Sequence, residues 1–230
     1  MLEEALLSVK KYRKVFEIDD DIKITVKSIP QGHELVYDPV NRTVELWLDK
    51  DSISDIPELL AQVKLGLEYH PLLATMYFQS DASEEETRLA GQFYTLVIPV
   101  IDAWVWKIMQ KYMSADEFEM EVDELLEMIE NLEIIKMYTG GKIENERARR
   151  RLTIGIHLII KAVGGKSKLK LVGDDEKKKK WIEYVKDLEN LVMQEPSIDA
   201  LIELGRKYGF NVKVVQDERT GYYVDIRKAQ

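Results

Sequence analysis

The chain has 230 residues, of which 45% are apolar and 33% are charged, and its formal net charge at pH 7 is −9. Its apolar content excludes a chain that is disordered throughout, and its length allows one sizeable core with a smaller appendage. The absence of cysteine excludes disulfide bonds, thiolate metal ligands and a cysteine nucleophile.

Three features lead us to expect a cytoplasmic protein with no membrane partner. The start, Met-Leu-Glu-Glu, lacks the basic and then apolar plan of a secretion signal. No uninterrupted apolar run reaches the roughly 20 residues that a membrane span needs. The nearest run, residues 96–109, contains Asp102 and Lys107.

The composition, rich in Lys and Glu, resembles that of proteins from organisms that live at high temperature.

The N-terminal part predicts a helix followed by a small antiparallel sheet. The helix covers residues 2–16, and its inward face has Leu6, Val9, Tyr12 and Phe16. Residues 22–27 alternate strictly between apolar and polar side chains, which is typical of a strand with one exposed face. Residues 34–37 and 43–48 predict two further strands, joined as a hairpin by the loop at 38–42.

The chain is organised around a central helix pair, residues 56–78 and 83–112. The first segment repeats apolar residues at steps of three and four, which is typical of one helix face. Pro71 disfavours helical geometry at His70, so a break or kink is predicted there.

The second helix of the pair is predicted to begin with a capping box formed by Ser83 and Glu86. Its centre is apolar on nearly all sides, which indicates a helix that is buried on several sides. Pro99 is predicted to kink it.

The remaining chain predicts four helices and a hairpin. A capping box at Ser114 and Glu117 begins a helix that extends to about Leu132, and a further helix covers residues 144–163. Beyond a change of composition at 166–175, the pattern predicts two helices and two strands, at 176–194, 197–208, 210–215 and 222–227.

These elements together predict a fold of the α+β class. It is mostly helical, with a small N-terminal antiparallel sheet before the central helix pair and a C-terminal ααββ module. Two domains are expected: residues 1–165 as the helical core with its N-terminal strands, and residues 166–230 as the small module. A module of this size is marginal alone, so we expect it to dock on the rest.

A helix, antiparallel strands, an apolar helix and a second long helix are also the plan of small zincin-type zinc metallopeptidases. Residues 20–112 resemble that family in architecture and apolar pattern. In the family, His-Glu-x-x-His lies on the first long helix, and the next helix brings a third ligand. The run Leu59-Leu60-Ala61-Gln62-Val63-Lys64-Leu65-Gly66 is similar to that stretch without its chemistry.

The residues at the motif positions depart from what zinc catalysis needs. Gln62 and Gly66 stand where the resemblance implies the two histidines, Val63 where it implies the general base, and Glu86 where it implies a third ligand. Zinc catalysis requires two imidazoles one helical turn apart and a carboxylate that accepts a proton from bound water. The resemblance therefore implies a core of this type that has lost catalysis.

Other polar residues are weighed as replacement ligands. An atypical set drawn from Glu68, His70, Glu86 and Asp102 gives a metal-dependent hydrolase as an alternative. For the histidines we favour a core or capping role at His70, a buried hydrogen-bonded role at His157 and a turn position at His33. Three scattered histidines without a paired spacing make a weak metal signal.

Asp102 interrupts an apolar run, and a buried carboxylate needs a partner, a proton or a functional role. We expect it to bind backbone groups near Pro99 or to face solvent, with Arg88 or Arg151 as hypothetical partners. The glycine pairs at 140–141 and 164–165, each followed by lysine, are interpreted as helix C-terminal caps and not as phosphate loops.

Two basic clusters, residues 147–151 and 177–180, are interpreted as solvated helix faces. If they converged with exposed Tyr222 or Tyr223, they would instead bind nucleic acid or nucleotides, which remains an alternative although the net charge disfavours it.

The leading hypothesis is a non-catalytic intracellular binding or scaffold protein on a degenerate metallopeptidase-like core. Its expected partner is another protein or a second copy of the chain. No catalytic, cofactor or metal site is predicted.

Overall fold

The computed structural model describes residues 2–130, 146–166 and 176–228. Its helices are α1 (Leu2–Val15), α2 (Ile56–Glu68), α3 (Glu84–Tyr112), α4 (Ala115–Glu130), α5 (Glu146–Ala162), α6 (Glu176–Val192) and α7 (Ile198–Lys207). Its strands are β1 (Lys23–Ser28), β2 (His33–Asp38), β3 (Thr43–Leu48), β4 (Phe210–Asp217) and β5 (Gly221–Lys228). The predicted α+β class, the N-terminal sheet and the C-terminal pair of strands are confirmed.

The N-terminal sheet has the strand order β1-β3-β2. β2 and β3 form the predicted antiparallel hairpin, with Leu35 opposite Leu46. β1 pairs with β3 in parallel, whereas the sequence pattern predicted a sheet that is antiparallel throughout. The prediction failed on this point because side-chain alternation indicates a strand but not its direction. His33 was predicted in a turn, but it is the first residue of β2. Because β3 lies between β1 and β2, β2 is an edge strand, and its outer side faces away from β3.

Helix α3 lies at the centre of the hydrophobic core. It contacts α2, α5, α6, α7 and β5, so the described parts of both predicted domains pack against it. Phe93, Val97 and Trp104 on this helix have no exposed surface. Within the described ranges, α3 alone is long and apolar enough to cross a membrane by length and composition, and 56% of its most apolar window is buried inside the fold.

Local capping signals set the ends of the two central helices. The Ser83 hydroxyl accepts from the Glu86 N–H at 3.3 Å, and the Glu86 carboxylate accepts from the Ser83 N–H at 2.8 Å, which confirms the capping box. α2 ends at Glu68, before His70, which is extended and accepts from the Leu72 N–H at 3.2 Å. The predicted break and the capping role of His70 are confirmed. α3 continues through Pro99.

The glycine pair at 164–165 ends α5 as a helix cap. Gly164 has a φ of +81°, and its N–H donates to the Lys161 carbonyl at 3.1 Å. The Gly165 N–H donates to the Ile160 carbonyl at 2.8 Å. These two bonds form a Schellman motif, so the capping interpretation is confirmed here. The pair at 140–141 lies outside the described residues.

The elements that follow residue 175 pack on α3 and on the segment before it. Phe210 meets Phe93 edge to face at a centroid distance of 5.8 Å. The Val224 N–H donates to the Tyr77 carbonyl at 2.8 Å. The Lys107 ammonium donates to the carbonyls of Val192 and Gln194 at 3.2 and 2.9 Å. The division at 165/166 stays a prediction, because residues 167–175 lie outside the described part.

Helix α1 buries most of the predicted face, with a small rotation that places Ala5 inside in place of Leu6. Leu6 was expected inside, but 49% of its surface is exposed, whereas Ala5 is buried. Val9 and Phe16 are buried as expected. The apolar pattern of α1 is broad enough to fit either rotation about the helix axis, and contacts with α2 decide between them.

Replacing Gly205 with alanine should destabilise the fold, because the glycine allows α7 to approach α3. A Cβ at this position would lie 2.5 Å from Cε2 of Phe93, which is fully buried and cannot move without repacking. Overpacking of this kind costs about 1–3 kcal/mol. We expect Gly205→Ala to lower the free energy of unfolding by that amount in urea denaturation.

Gly91→Ala on α3 is the matched control, since nothing lies within 4 Å of a Cβ there. Alanine should stabilise that helical position by about 0.5–1 kcal/mol. Equal effects of the two substitutions would contradict the close approach at Gly205.

Candidate functional site

A cavity of about 390 Å³ opens between α2, α3 and β2, and we call it the α2–α3 cavity. Most of its lining residues are apolar, but polar atoms from each surrounding element provide slightly more than half of its exposed lining surface. The lining residues are His33, Glu34, Leu35, Leu59, Gln62, Leu72, Leu73, Ala74, Thr75, Met76, Phe78, Tyr94, Ile98 and Ile101.

Helical spacing and the turn after α2 bring these side chains together. Leu59 and Gln62 are three residues apart on α2, and Tyr94, Ile98 and Ile101 are four and three apart on α3, so each set shares one helix face. The chain turns at His70 and returns past the cavity, where the Gln62 amide donates to the Ala74 carbonyl at 2.8 Å. This bond fixes the returning segment against α2.

The residues at the zincin-like motif positions lie in different surroundings. Gln62 lines the cavity, and Gly66 packs against the same returning segment, since a Cβ on it would lie 2.5 Å from the Ala74 Cβ. Val63 is fully buried in the core. Glu86 is held in the capping box with Ser83 at the start of α3. The structure therefore brings Gln62 and Gly66 together and leaves Glu86 apart from them.

The outer edge of β2 is covered along only part of its length. The Tyr37 N–H donates to the Thr75 hydroxyl at 2.9 Å, and that hydroxyl donates to the Leu35 carbonyl at 3.3 Å. The Tyr77 hydroxyl donates to the Tyr37 carbonyl at 2.8 Å. Thr75 and Tyr77 thus occupy the place that a neighbouring strand would take at this end of β2.

Towards the start of β2 the edge is open. Backbone groups of alternate residues point to the same side of a strand, so the Leu35 N–H and the His33 carbonyl point outward like those of Tyr37. No residue in the described part of the chain bonds to either group. Both residues also line the cavity, so an unpaired edge adjoins a recess that has both apolar and polar walls.

Two carboxyl groups do not line the cavity but lie one helical turn from residues that do, Glu58 before Gln62 on α2 and Asp102 after Ile98 on α3. Burial, with the nearby charge of Asp55, raises the pKa of Glu58 to about 7. Burial, with the nearby charge of Glu58, raises the pKa of Asp102 to about 8. The charge of His33 opposes the rise at Glu58 but is a smaller effect, and low-dielectric surroundings favour the neutral acid.

Arg88, one hypothetical partner of Asp102, lies beside another carboxylate, and pairing of Asp102 with Arg151 stays a prediction. Arg88 lies 3.9 Å from Glu85, and the Arg151 side chain is outside the described residues.

The His33 ring bonds Asp55 at 2.7 Å, and that hydrogen bond raises the pKa of His33. Sequence reasoning missed Glu58, although its place one turn before Gln62 was a usable signal.

The proposed replacement ligands do not form a metal site. Glu68 binds Lys111 at 2.9 Å, and His70 caps the turn with its ring 4.7 Å from that of Tyr222. His157 is buried and bonds Glu189 at 2.6 Å, as predicted. Within residues 2–130, 146–166 and 176–228, no three His, Cys, Asp or Glu side chains could hold a metal ion together.

The basic clusters lie mostly outside what the structure describes. α5 and α6 begin at Glu146 and Glu176, but the side chains of residues 147–151, Lys177 and Lys178 are not among the described ones. Lys179 and Lys180 are exposed. Tyr222 and Tyr223 are partly buried. Convergence of the clusters stays a prediction.

Comparison with known proteins found no match: no family model, no curated protein and no solved structure matches the chain. The zincin-like resemblance therefore stays a prediction. The geometry of the α2–α3 cavity and of the β2 edge is the basis for assigning a function.

Asp102→Asn should make the protein more stable at alkaline pH. The folded-state pKa of Asp102 is raised, so its protonated form contributes stability that is present below about pH 4 and is lost as the pH rises towards about 8. Asparagine is neutral at every pH. We expect similar melting temperatures for variant and wild type at about pH 3.5, and at pH 9 a variant that is more stable by roughly 1–3 kcal/mol.

Asp123→Asn on the exposed face of α4 is the matched control and should leave the pH dependence unchanged. Melting temperatures of Asp102→Asn that equal those of the wild type at both pH values would count against a partly buried Asp102 that titrates with a raised pKa.

Proposed function

We propose that this chain is a non-catalytic binding protein for an extended segment of a protein partner. The segment pairs with the open edge of β2 and places a side chain in the α2–α3 cavity. One observation carries the proposal: the outward-facing Leu35 N–H and His33 carbonyl have no partner in the described part of the chain, and both residues line the cavity.

An added strand suits this edge because it supplies what the edge lacks. An extended peptide offers one N–H and one carbonyl to the same side at every second residue. Main-chain hydrogen bonds of this kind contribute affinity, and pockets for alternate side chains contribute specificity. Thr75 and Tyr77 cover the other end of β2, so the segment would engage only the first half of the strand.

The cavity is suited to hold one apolar side chain of the segment. Its volume of about 390 Å³ is within the range of natural ligand pockets. Leu59, Ile98 and Ile101 supply apolar walls, and Tyr94, 39% exposed, stands at the rim. Burying an apolar side chain against these walls would contribute about 25 cal/mol to the binding free energy for each Å² of apolar surface removed from water.

The polar groups around the cavity favour binding over catalysis. The Gln62 amide already bonds the Ala74 carbonyl, which leaves it poorly placed to activate a water molecule. Glu58 and Asp102 do not line the cavity, so neither lies beside a bound segment as a catalytic base would. A degenerate zincin-like core would be consistent with this function.

Leu35→Pro tests the edge directly, because it removes the outward N–H and leaves the bonds to β3 in place. Proline is tolerated on edge strands when its position faces solvent. Peptides would be selected from a random displayed library on the wild-type protein, and their affinities measured by calorimetry. We expect Leu35→Pro to weaken them roughly tenfold, since an unpaired acceptor costs about 1–3 kcal/mol.

Leu35→Ala is the matched control, since it removes the same side chain but keeps the N–H. Ile98→Phe, which fills the cavity, should also weaken binding. The proposal is wrong if proline and alanine at position 35 bind the selected peptides equally, or if the purified protein contains near-stoichiometric, chelator-removable zinc and cleaves peptides.

A further inference from the structure

A second cavity, of about 280 Å³, lies on a different face of α3 and plays no part in the proposed function. It lies between α3, α5, α6 and the turn from α7 to β4, and we call it the aromatic pocket. Four of its nine lining residues are aromatic: Trp181 and Tyr184 on α6, Tyr208 just after α7, and Phe210 at the start of β4. Each of the four is partly exposed, so ring surface is accessible from outside.

Neighbouring rings in this pocket stand nearly at right angles. The centroids of Trp181 and Tyr184 are 5.7 Å apart with an interplanar angle of 76°, and those of Tyr184 and Tyr208 are 5.5 Å apart at 81°. The Tyr184 hydroxyl donates to the Leu96 carbonyl at 3.3 Å, and the Tyr208 hydroxyl donates to the Asp187 carboxylate at 2.8 Å. A flat ring that enters between such fixed walls can lie face to face with one and edge to face with the next.

The rest of the lining suits an uncharged ring with a polar edge. No lining residue is charged, and most of the exposed lining surface is apolar. Gln92 lines the pocket from α3, is exposed, and has no side-chain partner in the described part of the chain. Its amide offers both donors and an acceptor, which is what the edge of a nucleobase needs. The volume is just below the roughly 300–1,000 Å³ of pockets for drug-sized ligands, so it suits one ring system.

Helix α6 runs in the same direction as α3. The Tyr184 hydroxyl bonds Leu96 on α3, and further along both helices the Lys107 ammonium donates to the Val192 carbonyl at 3.2 Å. Contacts that advance together along two helices require a parallel arrangement.

Helix α5 has the same direction. Ile154 lines the aromatic pocket together with Pro99, and further along both helices the Gln110 amide donates to the Val163 carbonyl at 3.1 Å. Since α5 and α6 are both parallel to α3, the two helices begin at the same end of the fold.

The first turns of α5 and α6 contain the two basic clusters of the sequence. Residues 147–151 end three positions before Ile154, and residues 177–180 end directly before Trp181, so each cluster precedes a residue that lines the pocket. The turns at 146–151 and 176–180 have eight basic residues and only two acidic ones. Beside the pocket, the sequence is therefore locally basic although the whole chain has a net charge of −9.

Two lysines of the second cluster are available to a ligand. Lys179 and Lys180 are exposed, and neither forms an ion pair within the residues that the structure describes. Lys180 lies one helical turn before Tyr184 on α6, and its flexible four-carbon stem lets the ammonium move towards the mouth of the pocket.

Acidic groups around the pocket oppose this charge only in part. Asp187 pairs with Lys207 at 2.6 Å, whereas Glu183 is exposed on α6. The three glutamates at 84–86 begin α3, six or more positions before Gln92. An anionic ligand would therefore approach from the side of α5 and α6.

We propose that the aromatic pocket binds one nucleobase, with the attached phosphate against the lysines at the start of α6. Bases stack on aromatic side chains whatever their sequence, and contacts between lysine and phosphate add affinity that falls with salt. The ligand is a nucleotide, either free or within a single strand. A duplex keeps its bases inside the stack and does not fit.

Titration of the full chain with AMP and with a labelled single-stranded oligoadenylate tests the proposal and separates the two sources. Both probes carry the same base and phosphate, so equal affinities identify a free nucleotide, and a much tighter oligoadenylate identifies single-stranded nucleic acid. Adenosine, which has no phosphate, should bind more weakly than AMP.

Trp181→Leu should weaken both probes roughly tenfold, the usual effect of losing one base–aromatic stack. Trp47→Leu is the matched control, because Trp47 is also partly exposed but lies on β3. Lys180→Met should lower the slope of log affinity against log salt for the oligoadenylate by about 0.7. Lys161→Met, in the last turn of α5, should leave that slope unchanged.

If Trp181→Leu fails to fold, Gln92→Glu replaces it, since this position is exposed and the change adds a negative charge at the pocket. It should weaken both probes several-fold. The proposal is overturned if neither probe binds at low salt, if adenosine binds as tightly as AMP, or if the variant at position 181, or its replacement at 92, binds like the wild type. A polyglutamate peptide that binds as tightly as the oligoadenylate would also overturn it, in favour of an acidic protein segment.

Discussion

The burial of α3 is the constraint on which the rest of the structure depends. A 29-residue helix that is apolar on nearly all sides of its centre cannot be covered by one neighbour. It therefore has α2 against it from the N-terminal part and α5, α6, α7 and β5 from the C-terminal part. Fully buried Phe93 and Trp104 mark two places where these elements meet it. Close approaches such as that of Gly205 to Phe93 follow from the need to cover this helix without voids.

The same constraint locates the candidate site. Where α2 and the segment after it leave α3, the side chains of Tyr94, Ile98 and Ile101 line a recess next to the edge of β2. This site combines an apolar wall from α3 with the backbone groups of Leu35 and His33 that have no partner in the described part of the chain. Burial explains the apolar part, and the unpaired groups are what a ligand would satisfy.

How far the sequence predicts these features depends on the range of the interaction. The Ser83–Glu86 box, the cap at His70 and the glycine cap at Gly164 involve residues a few positions apart, and all three were predicted. The parallel pairing of β1 with β3 was not, because alternation gives no strand direction. Thr75 on the edge of β2 joins residues 38 positions apart, and no local pattern indicates such a contact. The nearness of Glu58 to Asp102 was missed for the same reason, although Asp102 itself was recognised as unusual.

The central claim is that the edge of β2 is closed at Tyr37 and open at Leu35. Native-state hydrogen exchange of the two amides by NMR tests it most directly and needs no ligand. The Tyr37 amide, bonded to the Thr75 hydroxyl, should be protected, while the Leu35 amide should exchange at a rate close to that of an unstructured chain. Equal and strong protection of both amides would show that the edge is already occupied and would contradict the account.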